Sequence, residues 1–324
     1  VQRKGYGSAL IGGIDAAQGR FVVMGDADAS YDFAAIAPLI ARLREGYDLV
    51  VGNRFLGGIE PGAMPWSHKY VGNPVLTRIS RIFFHAPVGD THCGLRAFTK
   101  DAYERMRLRA TGMEFASEMV IKASLKGMRI TEVPVVLHPD GRSRPPHLRT
   151  WRDGWRHLRF MLLFSPRWLF LYPGLALLGV GLVVGALLET GPKKIGPFGF
   201  DIHTLLLAGF CCLMGYQLVV FAVFTKVFAM REGFHPPNAN YAAMFRYVRL
   251  ETGLALGALM VVLGVAGTII AVITWQSVGF GALDPRTTMR EIIPATVLLT
   301  LGVQTIFASF FLSILGIDTE TDTR

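Results

Sequence analysis

Two carboxylates one residue apart, Asp26 and Asp28, stand directly behind the apolar run Phe21-Val22-Val23-Met24. That run reads as a short buried strand, and in an open α/β sheet ligands collect at the carboxyl ends of the strands. Two carboxylates held together there repel one another unless a cation lies between them. Hard oxygen ligands suit Mg²⁺ or Mn²⁺, and such a metal would carry a diphosphate. Alone the pair is a weak signal: with 13 aspartates in 324 residues, about half an Asp-x-Asp is expected by chance. The same spacing also fits a solvated turn.

Composition narrows the setting. Hydrophobic residues make up 51% of the chain and charged residues 18%, and the two halves differ. Up to about Phe164 charges are scattered throughout; beyond Trp168 long apolar runs dominate. A formal net charge of +9 suits nucleic acid, a membrane surface or a phosphorylated substrate. The positive residues crowd just ahead of the apolar half, which favours the membrane surface and not nucleic acid. Cys211 and Cys212 are adjacent in an apolar run and Cys93 is alone, so no disulfide framework is suggested. No signal peptide is visible. The opening, Val1-Gln2-Arg3-Lys4, lacks a Met and reads as though cut from a longer chain.

The elements that must position the carboxylates alternate between helix and strand. Ser8 is expected to cap a helix running to about Gln18. After the Asp pair, Asp32 or Ser30 starts a helix with Ile36, Leu39, Ile40 and Leu43 at helical spacing. Asp48–Gly52 reads as a strand feeding Asn53-Arg54-Phe55, Asn73–His85 as a helix, and Leu95–Phe98 as a strand with Thr99 capping the helix after it. Glu114–Lys126 is a helix stopped by Gly127, and Arg129–Leu137 the last strand. The alternation predicts an α/β domain with a mostly parallel sheet.

The remainder reads as membrane. Four apolar segments, at about 168–188, 205–227, 254–275 and 292–317, each reach the roughly 20 residues a bilayer core demands. The loops after the first and third spans carry Lys193, Lys194, Arg286 and Arg290; the loop after the second carries Lys226, Arg231, Arg246 and Arg249. With the denser positive charge ahead of the first span, this predicts a cytoplasmic α/β domain and a cytoplasmic C-terminus. Between the halves, Arg149, Arg152, Arg156 and Arg159 share one helical face, and Trp151, Trp155, Leu158 and Leu162 an adjacent one. A basic face beside an aromatic–aliphatic face predicts a helix lying in the membrane interface.

Six stretches together form a signature: Gly5-Tyr6-Gly7-Ser8-Ala9, Asp26-Ala27-Asp28-Ala29-Ser30, Gly52-Asn53-Arg54-Phe55, Asp90-Thr91-His92-Cys93-Gly94-Leu95-Arg96-Ala97-Phe98, Glu114-Phe115-Ala116-Ser117-Glu118-Met119 and Glu132-Val133-Pro134-Val135. In this order they resemble the family 2 glycosyltransferases that act on polyprenyl phosphates, the dolichyl-phosphate mannose synthase-like type. The resemblance implies a GT-A-like (Rossmann-like) cytoplasmic domain over residues 1–147, an interfacial amphipathic helix over 148–166 and a membrane domain of four transmembrane helices over 167–324. By the family pattern several tens of residues, with a Pro-x-x-Asn-Glu-like motif and an acidic motif for the base and ribose, are expected ahead of Val1. The domain is thus expected to be incomplete at its N-terminus. The Gln-x-x-Arg-Trp motif of the processive relatives is absent from these residues, which implies a single sugar transfer.

The chemistry so implied is inverting transfer of one sugar from a UDP- or GDP-linked donor to a polyprenyl phosphate, undecaprenyl or dolichyl. Asp26, Asp28 and Ser30 are the expected ligands of a Mg²⁺ or Mn²⁺ ion that neutralises the leaving diphosphate. Gly5 joins Asp26 and Asp28 on the nucleotide sugar. The lipid phosphate is already an anionic nucleophile, so its need is a cationic clamp. Arg54, on a strand expected beside the Asp-x-Asp strand, and Arg142, Ser143 and Arg144, where relatives carry Arg, Ser and Lys, supply it. Asp90, with Asp28 and Arg54, completes the catalytic set, either orienting a sugar hydroxyl or capping the next turn. Glu118 is expected to be structural and His92 a packed histidine. The setting implied is the plasma membrane of a prokaryote, and a homo-oligomer is compatible with the sequence. Two rivals stay open: an Asp26-nucleophile phosphatase, whose pattern wants Thr or Val where Ser30 stands, and a non-catalytic membrane partner in lipid-linked sugar handling.

Overall fold

The computed structural model describes residues 5–141, 150–231 and 250–316. It divides into two compact units, with the break between Ser165 and Pro166.

Unit 1 is α/β. Its strands are β1 (Phe21–Met24), β2 (Leu49–Asn53), β3 (Arg96–Thr99) and β4 (Ile130–Pro134), in the sheet order β1-β3-β2-β4. Its helices are α1 (Tyr6–Ala16), α2 (Ile36–Arg44), the one-turn α3 (Arg54–Gly57), α4 (Asn73–Phe84), α5 (Lys100–Met106), α6 (Phe115–Leu125) and α7 (Thr150–Leu163). The sheet is mixed, which corrects the expectation of a mostly parallel one: β3 runs antiparallel to both β1 and β2, and only β2 and β4 are parallel. Arg54 therefore does not follow a strand beside the Asp-x-Asp strand, because β3 lies between. Apolar runs buried on both faces carry no mark of strand direction, so helix–strand alternation could not reveal it. The β1 residues also differ in depth: Val22 and Met24 are buried, Phe21 and Val23 only half so.

The local chemistry of the helix starts is mostly as the residue types dictate. The Asp32 carboxylate accepts from Ala34 N at 2.7 Å and the Thr99 hydroxyl from Ala102 N at 3.0 Å. The Asn53 amide oxygen accepts from Phe55 N and Leu56 N at the end of β2. Ser8 is no cap; α1 begins two residues earlier, behind Gly5, and Ser8 is buried inside it. The core is a cluster including Leu39, Leu49, Val50, Leu95, Phe98 and Met119, all fully buried.

Helix α7 leaves Arg152, Arg156, Arg159 and Trp155 exposed, and it also has a buried side, with His157 and Met161, that the sequence reading does not include. Met161 joins Phe84 of α4 and Ile121 of α6 in a second apolar cluster. The buried stripe at 157 and 161 is one helical turn long, and a histidine at its head hides it from a reading based on aromatic and aliphatic residues.

Among its described residues, unit 2 holds four helices long and apolar enough to cross a membrane: Arg167–Glu189, Ile202–Arg231, Leu250–Ser277 and Pro285–Gly316. The first contains α8 (Tyr172–Glu189), and the others are α9, α10 and α11 in order. A small hairpin, β5 (Lys193–Ile195) and β6 (Phe198–Phe200), joins α8 to α9. Helix α8 packs along α9 and α10 along α11. Their contacts run through small residues: Gly257, Gly264 and Ala271 of α10 are buried, as are Ala295, Gly302 and Ser309 of α11. Both sets recur every seven residues, so one seam stays facing its partner. Phe307, Leu207 and Val262 point outward. Arg290 and Arg286 of α11 pair with Asp201 at the head of α9.

Candidate functional site

The carboxyl end of β1 opens onto a cavity of about 210 Å³ within unit 1. Asp26, Tyr6, Arg54, His68, His92 and Gly94 are among its walls.

Asp26 is placed by glycines. A Cβ on Gly94 would collide with Asp26 Oδ2, so only glycine lets the carboxylate lie against that backbone. The head of α1 likewise lies against the carbonyls of Ala110 and Thr111, an approach that any side chain on Gly5 or Gly7 would block. That seating carries the Tyr6 hydroxyl to Asp26 Oδ1, which accepts from it at 3.3 Å. Burial and the nearby charge of Asp28 push the Asp26 carboxyl up. A divalent cation would relieve both. The Asp28 carboxylate accepts from Ser30 N at 3.1 Å, closing a tight turn in which Ala29 adopts a left-handed φ of 63°. The Asp28 and Ser30 carbonyls accept from Gly141 N and His138 N, which fastens the segment after β4 to this turn. Among the described residues, no three His, Cys, Asp or Glu side chains converge on one point. A metal held here would complete its shell with the Ser30 hydroxyl, water and diphosphate oxygens.

Arg54 opens α3 at the end of β2 and is itself buried. Its Nε and Nη2 donate to Asp90 Oδ2 and Oδ1 at 2.6 and 2.8 Å, and its backbone N also donates to Oδ2. Burial would lower the guanidinium pKa, but the Asp90 hydrogen bonds and charge raise it above its usual value, so Arg54 stays cationic. Asp90 is fully buried. Both of its oxygens turn to Arg54, and Oδ1 also takes His92 N at 3.3 Å. Arg54 and Asp90 thus come together as one bidentate pair.

Several residues shape this site beyond those assigned a catalytic or ligand-binding role from the sequence. Glu132 Oε1 accepts from Gly89 N, Asp90 N and the Asn53 amide at 2.6, 3.1 and 3.1 Å, fixing the loop that carries Asp90. An acid on a strand otherwise rich in Ile and Val is the available signal. Arg96, wholly buried, gives its guanidinium to the carbonyls of Cys93, Ala116 and Thr91. Tyr31 OH accepts from Gly94 N at 3.1 Å. The His157 Nδ1 of α7 lies 2.8 Å from Ser117 Oγ, which also approaches His92 Nε2 at 3.4 Å. Burial, then the charges of His157 and Arg54, hold His92 well below the ordinary imidazole value. Burial pushes the Cys93 thiol up to about 11, which removes it as a nucleophile near neutral pH. Glu118 pairs with Lys122 at 2.7 Å and accepts from Arg109 N and Ala110 N, a role confined to the loop before α6. Arg142, Ser143 and Arg144 lie outside the described residues.

Comparison with known proteins agrees with this architecture. The profile of glycosyl transferase family 2 matches residues 1–107, and that of the glycosyltransferase family 2 C-terminal transmembrane region matches residues 223–316. The low-salt glycan biosynthesis hexosyltransferase Agl6 of Haloferax volcanii is 38% identical over 316 residues, covering 97% of this chain and 74% of Agl6. The dolichyl-phosphate hexose transferase of the same organism is 29% identical over 41% of this chain and 56% of its own length. Glycosyltransferase AglJ is 31% identical over 43% of this chain and 46% of its own. The chain therefore spans about half the length of these last two relatives. Among solved structures, glucosyl-3-phosphoglycerate synthase from Mycobacterium tuberculosis overlaps half of this chain and 54% of its own at 20% identity, with a TM-score of 0.37. A mixed α/β sheet with paired aspartates behind its first described strand, a helical membrane domain after it, and a relative 38% identical over 97% of this chain and 74% of its own length make this chain a member of glycosyltransferase family 2, with a C-terminal transmembrane region.

Proposed function

We propose that the protein transfers a single hexose from a UDP- or GDP-linked donor to a polyprenyl phosphate at the cytoplasmic face of a membrane, inverting the anomeric centre. The observation that carries the reading is one cavity with the Asp26 carboxylate on one wall and the Asp90-clamped Arg54 on another. Asp26 and Asp28, with Ser30, are the residues to hold Mg²⁺ or Mn²⁺, which would offset charge building on the leaving diphosphate. Arg54, kept cationic and oriented by Asp90, receives the acceptor phosphate. Asp90 acts through Arg54 here, since its oxygens are already engaged. The names of Agl6 and of the dolichyl-phosphate hexose transferase support a hexose and a lipid phosphate. The loop charges, with Lys193 and Lys194 on one side and the richer basic segments on the other, support a cytoplasmic catalytic domain.

The test is transfer of radiolabelled sugar from a panel of nucleotide sugars to polyprenyl phosphate in membranes. Asp28→Asn should abolish transfer and weaken Mn²⁺ binding. Arg54→Ala should raise KM for the lipid phosphate or lower kcat, at a cost of about 2–3 kcal/mol, while donor affinity holds. Transfer undiminished in EDTA, or equal losses of donor and acceptor use in Arg54→Ala, would overturn the assignment.

A further inference from the structure

Helix α7 supplies part of the wall of the cavity onto which β1 opens. Gly154 and His157, three residues apart on one helical face, both line it. A glycine inside a helix is costly, and here the space left by its missing side chain is open: a Cβ on Gly154 would meet nothing within 4 Å. His157 is buried, and its Nδ1 lies 2.8 Å from Ser117 Oγ of α6. The same Oγ stands 3.4 Å from His92 Nε2, and the two imidazole rings meet edge to face with centroids 4.8 Å apart. A hydroxyl can donate to one ring and accept from the other, so Ser117 joins the two. The backbone N of His92 in turn donates to Asp90 Oδ1, the oxygen that also accepts from Arg54 Nη2. A continuous series of contacts thus runs from α7 to the Arg54 guanidinium, and only its last two members, Asp90 and Arg54, have a part in the reaction proposed for the protein.

We infer that His157 is a positioning residue for Arg54: it seats His92, through Ser117 and by ring contact, and so fixes the Asp90 loop and the direction of the guanidinium. The inference rests on the role proposed for Arg54 toward the acceptor phosphate. Packing alone does not call for a histidine at this place. Met161 already joins α7 to Phe84 of α4 and Ile121 of α6, and an apolar residue at 157 would extend that contact. A buried imidazole is costly unless hydrogen-bonded, so its presence serves the partner it meets, Ser117. The size of the effect follows from the other supports of the loop. Glu132 holds the Gly89 and Asp90 amides, and Arg96 holds the Thr91 and Cys93 carbonyls. With these in place, loss of His157 loosens Asp90 without releasing it, which lowers transfer without abolishing it.

The experiment compares His157→Ala, Ser117→Ala, the two together, and His157→Asn, whose amide reaches Ser117 from the place of Nδ1, all in the full chain in detergent. Hydrogen exchange over 89–94, read by mass spectrometry, should rise in His157→Ala while β2 and β4 hold. The kcat/KM for polyprenyl phosphate should fall by about two- to tenfold, the range that one lost hydrogen bond commands, with the KM for nucleotide sugar unchanged. The double variant should lose no more than the worse single one, and His157→Asn should recover most of the loss. In an Arg54→Ala background His157→Ala should cost nothing further. Unchanged exchange over 89–94, equal losses of donor and acceptor use, or an undiminished loss in the Arg54→Ala background overturns the inference; the last would mean that His157 acts on substrate directly. Arg54→Ala with acceptor use intact would overturn the reading of Arg54 instead, and exchange over 89–94 then still decides whether His157 seats the loop. If His157→Ala fails to fold, Ser117→Ala carries the same comparisons.

Discussion

Arg96 lies at the bottom of unit 1, its guanidinium shared among three backbone carbonyls. At comparable depth in unit 2 stands Gly302, where a Cβ would come within 2.7 Å of Gly257 O and Val261 N of the neighbouring helix. One interior is filled with large side chains and satisfied charge; the seam of the other is lined by small residues and backbone, with Leu188, Leu205 and Ile293 forming a separate apolar cluster. In water, hiding Phe98 or Leu49 is itself a driving force, and a buried cation is tolerated once every donor has an acceptor. In lipid, hiding a leucine gains almost nothing, so helices associate by backbone approach and dispersion, with small residues inside and Phe or Leu outside. The solvent around each unit thus decides which side chains its interior accepts.

The widest break in that comparison should come from Arg96→Ala. Three carbonyls would lose their partner at about 1–3 kcal/mol each, a sum on the scale of a whole domain's stability. Unit 1 should fail to fold, read as loss of its melting transition in the purified chain. Arg96→Lys should retain part of it. A variant melting within a few degrees of the parent would show the guanidinium to be dispensable.

A second, smaller effect belongs to unit 2. Gly302→Leu should force α10 and α11 apart and cost about 1–3 kcal/mol, whereas Gly179→Leu, with nothing within 4 Å of its added Cβ, should be neutral. Unfolding by denaturing detergent measures both. Equal sensitivity would mean that close backbone approach is not what joins the hairpin.

The smallest is a pH effect confined to unit 1. His92 resists protonation when folded, because of burial and then the charges of His157, Arg54 and Arg96. The unfolded chain binds that proton near pH 6.5, so it holds more protons than the folded one below that pH. Stability should be fully present above about 6.5 and fall as pH drops, by at most about 1.4 kcal/mol per unit. His92→Gln should flatten the slope. An unchanged slope would move the titration to another group.

Much of this is legible in the sequence for reasons that can be named. The spans are plain because a bilayer demands length and apolarity in one run; the helices only extend past the expected ends, as Ile202–Arg231 does. Asp26 and Arg54 stand out because charge after a buried strand is conspicuous, and Asp90 through the motif that resembles the family's. What stays hidden is relational. That Asp90 spends its oxygens on Arg54, that Gly94 makes room for Asp26, and that β3 separates β1 from β2 depend on contacts among segments 36 to 78 residues apart. The buried face of α7 escapes a reading by residue type because His157, polar by nature, is turned inward onto Ser117.

Glu132 has a consequence for how this protein can vary over generations. One carboxylate oxygen serves Asn53, Gly89 and Asp90, positions contributed by a strand end and a distant loop. No single change among them is neutral: losing the carboxylate strands three donors, and losing Asn53 also uncaps α3. Substitutions at Asn53 and Glu132 should therefore be tolerated only together. A lineage would have to cross an inactive intermediate to exchange them, which makes this cluster a barrier to drift even though none of its members except Asp90 stands next to Arg54's guanidinium.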